Sequence, residues 1–475
     1  LYIKKQHYIY SVKAMLLHPS LLSLAFLVTL TSAEAQAPES VIETDVVVIG
    51  GGSAGTYAAI GLLDKGVDIV VIEKQSDLGG HADTYTDPAT GQTLNAGVQL
   101  FHDSAIVKDY ASRLGVPLTP PGPGDNATTL SIDFTTGKAV PNPTAVPGLM
   151  DALARYIGIL NTTYPYLSAG FFLPHPVPED LVLSFGDFAK KHQIEPVVFL
   201  FNLYTQGWDI SKVPAVYALI LVNLELASDI QAGTFLATRD TNDLYRSAAT
   251  ILGQRVLYST NVISVTRGEA GVAVKVRQQG GGVLKTIRAK KLLMTGPPVL
   301  GNLRGWDLTA EEKNLFAKLR GYGYFAGAIS NPDLPDNTSF TNVAAGNLSF
   351  HIPQLPAIFG ISNTPFPQKT RLVYYGTQPD IDHDAAAQMC LADVDGLVRK
   401  LGYGHAKTKL LAWYPHGPFN IGVSADDIRK GFYAELYGLQ GQRNTWWSGA
   451  TFQAQDSAAI WAYTKTLIEP LSAGN

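Results

Sequence analysis

The segment Thr44–Gly55, TDVVVIGGGSAG, leaves few folds open. A β-branched run (Val46, Val47, Val48, Ile49) ends in Gly50-x-Gly52-x-x-Gly55 and enters an Ala-rich helix from Ser53 to Lys65, stopped by Gly66. Gly50 permits the tight strand-to-helix turn, Gly52 lets the backbone approach a pyrophosphate, and Gly55 lets helix and strand pack closely. The helix N-terminus at Ser53 offers unpaired N–H groups and a positive dipole end to phosphates. The glycine pattern alone is weak evidence; its context gives it force. Val67–Ile72 reads as a second buried strand. It ends in Glu73, with Lys74 beside it, at the spacing of ~20 residues where a ribose hydroxyl needs a carboxylate acceptor. Together these residues describe a dinucleotide-binding unit in an α/β protein.

At 475 residues the chain exceeds the size at which one core stops growing, so two lobes are expected. Apolar residues make up 46% and aromatic residues 10%, which argues against disorder. A net charge of −4 without a basic patch gives no electrostatic case for nucleic acid or an anionic membrane. Leu16 to about Ala35 reads as an export signal. Its apolar stretch Leu21–Leu30 is shorter than the ~20 residues of a bilayer span, and Ala33-Glu34-Ala35 offers a small-x-small cleavage site. Met15 is the natural start, so residues 1–35 are set apart as upstream sequence and signal peptide, and the protein is expected to be secreted. Sequons at Asn126, Asn161, Asn337 and Asn347 imply surface loops able to carry sugar. Cys390 is the only cysteine, which excludes an internal disulfide, and it reads as a buried thiol.

Beyond Glu73 come Gly79-Gly80-His81 and Leu94-Asn95-Ala96-Gly97-Val98-Gln99; near the C-terminus stands LQGQRNTWWSGA, Leu439–Ala450. In these blocks the chain resembles the flavin-containing amine oxidase superfamily. Members of that superfamily follow the ribose-binding acidic residue with a Gly-Gly-Arg turn and then a short strand ending in glycine beside the flavin. This chain has His81 where most members have arginine. The C-terminal block resembles the last FAD-binding segment, a strand that delivers a glycine to the flavin before a helix aimed at its pyrimidine end. Its Gln-Gly-x-Arg-Asn-Thr run is most similar to two branches, the polyunsaturated fatty acid double-bond isomerases and the cyclopiazonate dehydrogenase-like oxidocyclases. The match is patchy but spans most of the chain from Thr44 onward. It implies FAD as cofactor, with Gly50, Gly52, Ser53, Gly55, Glu73, Lys74, Gly79, Gly80, His81, Gly97, Val98, Val262, Gly449 and Ala450 as its binding residues.

The expected architecture is a Rossmann-type FAD-binding domain of the amine oxidase kind (residues 44–140, 240–300 and 405–475). An inserted α+β substrate-binding domain takes residues 141–239 and 301–404. A stretch rich in Pro, Gly and Thr, 117–147, reads as loops leaving the first lobe. From Gly148 to about Thr238 the pattern is helical, aliphatic and aromatic. A helix over Leu244–Leu252 and a short strand over Arg255–Tyr258 follow. Asn261–Val265 resembles the family segment whose backbone holds the adenine, and Val272–Val276 alternates as a strand. Ala289–Pro298 reads as a buried strand stopped where a ligand crevice forms, outside the carboxyl end of a parallel strand. Thr309-x-x-Glu312 is a capping box. A strand at Tyr374–Tyr375 and a helix around Met389–Leu401 complete the second lobe.

In such a protein FAD carries the redox step and the protein orients the substrate. No nucleophile elbow, His-Glu-x-x-His helix or cysteine cluster is present, which disfavours hydrolysis, and no metal site is expected. By the resemblance, Gly97-Val98-Gln99 passes beside the flavin, where Gln99 could bond the ring or the substrate. Trp413–Gly417 lies in the region that approaches the flavin's dimethylbenzene edge, where some members tether it through cysteine. Cys390 is too early for that role. His416 and His81 are therefore competing candidates for a covalent link, the alternative being an imidazole that only hydrogen-bonds. Trp446 and Trp447 precede Gly449, where related amine oxidases keep an aromatic wall of the substrate cage. Trp447 is the candidate for that wall; the competing reading buries one of the two in the core. No lysine matches the water-linked lysine of many amine oxidases, which puts amine specificity in doubt.

The resulting expectation is a secreted FAD-dependent oxidoreductase with Gln99, His416 and Trp447 as candidate catalytic residues. It takes hydride from a small hydrophobic or aromatic substrate, an amine among the options, and passes electrons to oxygen or another acceptor. Two alternatives stand beside it: a redox-neutral double-bond isomerase or oxidocyclase, and a non-catalytic flavin- or lipid-binding glycoprotein. Oligomeric state is not legible in the sequence.

Overall fold

Val46, Val47, Val48 and Ile49 are all buried, as expected of a strand covered on both faces. In the computed structural model, which describes residues 40–121, 127–346, 349–379 and 381–474, they end the strand Ser40–Ile49. The signal segment and the sequons at Asn126 and Asn347 lie outside the described residues. The first strand pairs in parallel with Ile69–Ile72 on one side and Leu284–Met294 on the other. The strand Leu284–Met294 then serves two neighbours. Its first half pairs with Gly271–Gln278, part of an antiparallel meander with Thr260–Gly268. Its last residues pair in parallel with Thr445–Trp447.

The register brings four chain reversals to one edge. Ile49 lies opposite Ile72 and Met294, and Met294 opposite Trp447. Gly50, Glu73, Thr295 and Ser448 therefore leave the sheet side by side, beyond the carboxyl ends of parallel strands, where open α/β sheets bind ligands. The helix Ser53–Asp64 packs directly over the first strand. A Cβ on Gly55 would stand 1.8 Å from the Gly50 carbonyl oxygen, so only glycine permits this approach.

The C-terminal strand is held from behind by a charge network. The fully buried Arg267 guanidinium donates to both oxygens of Glu312 at 2.8 Å and to Asp307 at 2.9 Å. Arg443 donates to Asp307 at 2.5 Å and to the Arg267 carbonyl at 2.8 Å, and Asn444 donates to the Gly268 carbonyl at 2.8 Å. Thr309 and Glu312 form the expected capping box on the helix Ala310–Phe316.

A second, mostly antiparallel sheet runs in the order Lys409–Pro415, Arg320–Ser330, Thr370–Thr377, Ala357–Asn363, Thr338–Asn342, Thr128–Asp133, Lys138–Ala139. Phe419–Gly422 pairs with Arg320–Ser330 as well. The helix His383–Lys400 covers one face, burying Cys390, Val394, Leu397 and Val398 against Ile329, Phe340 and Val373. Burial pushes the Cys390 thiol far up, with the charge of Asp393 adding to the shift, so it stays protonated. Helices between Leu149 and Ala232 build the remaining wall.

The sequence boundaries therefore differ from the strand pairing at three places. Residues 128–139 and 409–422 hydrogen-bond into the second sheet, although they were expected in the FAD-binding domain. Residues 303–316 pack on the first-sheet side through Trp306, Leu315 and Phe316. The first two differences come from pairings between strands far apart in sequence, and the third from packing of Trp306, Leu315 and Phe316; composition records neither. Among the described residues no single helix is long and apolar enough to cross a membrane.

Candidate active site

Beyond the aligned strand ends lies a cavity of about 580 Å³, within the range of small-molecule and cofactor sites. Part of its lining is main chain: Gly50, Gly52, Ser53, Gly79, Gly80, Gly97, Val98, Thr295–Pro297, Gly449 and Ala450. The helix starting at Ser53 has no side-chain cap, so N–H groups of its first turn are left for a ligand. Glu73 ties the turn together: Oε2 accepts from Gly51 N at 2.6 Å and Oε1 from Gln75 N at 2.8 Å. Each carboxylate oxygen keeps a lone pair for a further donor. Gly97 crosses the turn after Gly80; a Cβ there would stand 1.9 Å from the His81 carbonyl oxygen and 2.8 Å from Asp83 N. Free helix N–H groups, a carboxylate with spare acceptor capacity and close-approach glycines in one cavity suit a dinucleotide.

Side chains from separate elements line it as well, among them Gln99, Leu203, Tyr204, Gln206, Leu221, Leu226, Phe235, Tyr324, Tyr374 and Phe419. Gln99 donates to the Tyr374 hydroxyl at 2.5 Å and to the Asn95 carbonyl at 2.9 Å. Tyr324 donates to Gln206 Oε1 at 3.4 Å. Burial pushes both phenols up, so Tyr324 and Tyr374 enter the cavity as neutral hydroxyls.

His81 and His416 both line the cavity, with ring centroids 4.8 Å apart. Their chemistry differs. His416 is 2% exposed and its Nε2 lies 2.9 Å from Asp83 Oδ2. The His81 ring forms no hydrogen bond among the described residues. Burial, then the neighbouring His416 and Lys74, holds it down to about 3, so it is a neutral imidazole.

A third histidine, His102, carries no motif and is clamped at both nitrogens: Nδ1 lies 2.9 Å from Asp229 and Nε2 2.8 Å from Asp456. Asp456 also caps the last helix, Ser457–Ser472. Burial works against a charge on His102, but the charges and hydrogen bonds of Asp456 and Asp229 outweigh it and raise the imidazole to about 9.

Most of the residues singled out in the sequence meet at this cavity: Lys74, Gln99 and His416 line it alongside those named above. Three do not. Gly55 lies beneath the turn, and Val262 is a half-buried residue packed against the core. Trp447 is corrected from a cavity wall to a core residue: it is 1% exposed and packs on Trp306 and Phe316 at centroid distances of 5.6 and 5.0 Å. The reason is the sheet. Thr445–Trp447 runs beside a central strand, and the helix Ala310–Phe316 and Trp306 cover the side that Trp447 faces. Trp446 lies under Lys291 instead. Tyr204, Phe235, Tyr324, Tyr374 and Phe419, aromatic side chains that do line the cavity, belong to no motif; only the fold gathers them from five separate stretches of chain.

The NAD(P)-binding Rossmann-like domain family matches residues 48–114. An FAD-dependent oxidoreductase of Cochliobolus heterostrophus is 34% identical across 91% of this chain and 92% of its own length. A beta-cyclopiazonate dehydrogenase of Aspergillus flavus is 32% identical across 91% of this chain and 93% of its own. Among solved structures, the CLA-producing fatty acid isomerase from P. acnes superposes with a TM-score of 0.73 at 20% identity, covering 90% of this chain and 98% of that one. Putrescine oxidase bound to putrescine gives 0.62 at 16% identity, covering 91% and 100%. These two structures share the fold.

Proposed function

The chain belongs to the FAD-dependent oxidoreductases that include the beta-cyclopiazonate dehydrogenases, and from that premise we propose that it dehydrogenates a small hydrophobic or aromatic substrate. The observation that carries the proposal is a single cavity in which a dinucleotide-type glycine lining adjoins an apolar and aromatic one. The main-chain lining, with Glu73 and Ser53, would hold FAD. When bound, the flavin supplies a hydride acceptor at N5, with electrons going on to oxygen or another acceptor. Gln99 and Gln206, held by Tyr374 and Tyr324, would orient a carbonyl or hydroxyl of the substrate, while Leu203, Leu221, Leu226 and Phe235 exclude water from its apolar body.

The lining supplied by Gln99, Leu203, Gln206, Leu221, Leu226 and Phe235 is apolar or neutral, so this part favours an uncharged substrate over an alkylammonium ion, whose burial without a counter-charge is costly. The relatives' names favour net oxidation over isomerisation. Anaerobic addition of beta-cyclopiazonate and a panel of apolar aromatic compounds to the yellow holoprotein should bleach the oxidised-flavin absorption. A correctly folded, colourless protein refutes the proposal. Turnover without oxygen uptake, giving a product of unchanged mass, assigns the isomerase reaction instead.

Of the two histidines, His81 has the neutral, uncommitted ring. If flavin stays with acid-precipitated protein, peptide mapping should find it on His81 and not on His416. Export remains part of the proposal. Asn161 and Asn337 are exposed, Asn161 in the last turn of the helix Leu149–Thr162 and not on a loop. A secreted form that loses mass on glycosidase treatment supports export; retention inside the producing cell opposes it.

A further inference from the structure

A second hollow, of about 830 Å³, lies behind the glycine turn and shares Gly79, Gly80 and Ala82 with the cavity as a common wall. Asp83 lines the outer hollow, and His416 lines the inner cavity. Their hydrogen bond, 2.9 Å between His416 Nε2 and Asp83 Oδ2, crosses that wall. The exposures follow the same direction, 2% for the His416 side chain and 28% for Asp83.

We propose that His416 and Asp83 form the proton outlet of the cavity: His416 accepts the proton that a substrate loses along with its hydride, and Asp83 relays it to the outer hollow. The inference rests on the dehydrogenation proposed above. A carboxylate on Nε2 fixes the tautomer with Nε2–H and leaves Nδ1 to accept, and it stabilises the imidazolium that forms. The other groups facing His416 do not compete for that proton. His81 is held down to about 3 by burial, with His416 and Lys74 adding to the shift, and Tyr324 is pushed up by burial and stays a neutral phenol. On the far side of Asp83, Tyr414 is pushed up to about 12 by burial and by the Asp83 carboxylate, so it too stays protonated.

The step balances. Oxidation of an H–C–X–H group to C=X breaks one C–H and one X–H bond; the hydride goes to FAD and the proton to His416 Nδ1. Dioxygen, as acceptor, takes two electrons and two protons to become hydrogen peroxide. One proton comes with the hydride, and the other re-enters from the outer hollow through the same pair, Asp83 and then His416.

The test needs no substrate. Holoprotein is photoreduced without oxygen and mixed rapidly with dioxygen, 1,4-benzoquinone or ferricyanide across pH 6 to 9. The first two oxidants need a proton beyond the one the reduced flavin carries, whereas ferricyanide takes none up and reports any disturbance of the flavin itself. His416→Gln is expected to slow the proton-consuming oxidants about 100-fold relative to ferricyanide. Asp83→Asn, the milder change, is expected to slow them about 10-fold and to flatten their pH dependence. Unchanged rates with dioxygen and benzoquinone overturn the proposal. So does equal slowing with all three oxidants, which would mean that the pair only shapes the flavin site. Failure of the functional reading shows separately, as wild-type flavin that no compound in the panel bleaches.

Discussion

Gly50, Gly52 and Gly97 meet the cavity with main chain, whereas Gln99, Tyr204, Tyr324 and Tyr374 meet it with side chains. At Gly50 and Gly97 the geometry leaves no room for a substituent: a Cβ would stand 2.6 Å from Thr295 Oγ1 at the first and 1.9 Å from the His81 carbonyl oxygen at the second. The other four come from four distant stretches of chain and meet only through tertiary packing. One part of the cavity is fixed by backbone sterics, and substitution there is forbidden. The other is fixed by side-chain identity, and substitution there changes what is bound. A family can therefore keep its cofactor while exchanging its substrate.

Four experiments can break or sharpen that contrast. The largest expected effect belongs to a residue of neither part. Trp447→Ala should lower unfolding free energy by about 3–5 kcal/mol in denaturant titrations, because it empties a core site. The flavin content of the folded fraction should be unchanged; loss of flavin without loss of stability would return Trp447 to the cavity. Gly97→Val should weaken flavin binding about 100-fold, close to 3 kcal/mol, through overpacking against the His81 carbonyl. Full flavin content after gel filtration of this variant would undo the distinction between backbone and side-chain lining.

His102 gives the next effect. Its imidazole is raised from 6.5 to about 9 in the folded protein. Its stabilisation is thus complete below pH 6.5 and lost as pH rises through 9, on the order of 2–3 kcal/mol. Urea unfolding at pH 6.5, 8 and 9.5 should show this decline in wild type and a flatter response in His102→Gln; parallel curves would mean that the clamp carries no charge. The smallest effect is expected at the side-chain lining. Gln99→Leu should raise KM for whichever compound bleaches the flavin about 5- to 10-fold, roughly the 1 kcal/mol of a single hydrogen bond, with an unaltered flavin spectrum. An altered spectrum would move Gln99 from the substrate to the cofactor.

The same contrast explains what the sequence made legible. The glycine turn, Glu73, Gly79-Gly80 and the C-terminal glycine are short local patterns, and the structure gathers them at one sheet edge. The Thr309–Glu312 capping box was legible for the same reason. His102 was not, because its two partners lie far along the chain at Asp229 and Asp456, and only the fold brings them together. Trp447 was misplaced because a motif fixes the strand but not which of its faces the neighbouring helix covers. The strands Thr128–Asp133 and Lys409–Pro415 were credited to the wrong sheet because pairing partners leave no trace in composition.

The charge network behind the C-terminal strand bears on how relatives of this protein are sorted. Arg443 and Asn444, the distinctive letters of the Gln-Gly-x-Arg-Asn-Thr run, spend their hydrogen bonds on Asp307 and on the carbonyls of Arg267, Asp307 and Gly268–Glu269. They act as masonry, remote from any reacting atom. Because these letters serve the frame of the fold, a search by this run sorts sequences by architecture, and the chemistry of each has to be read from the walls of its own chamber.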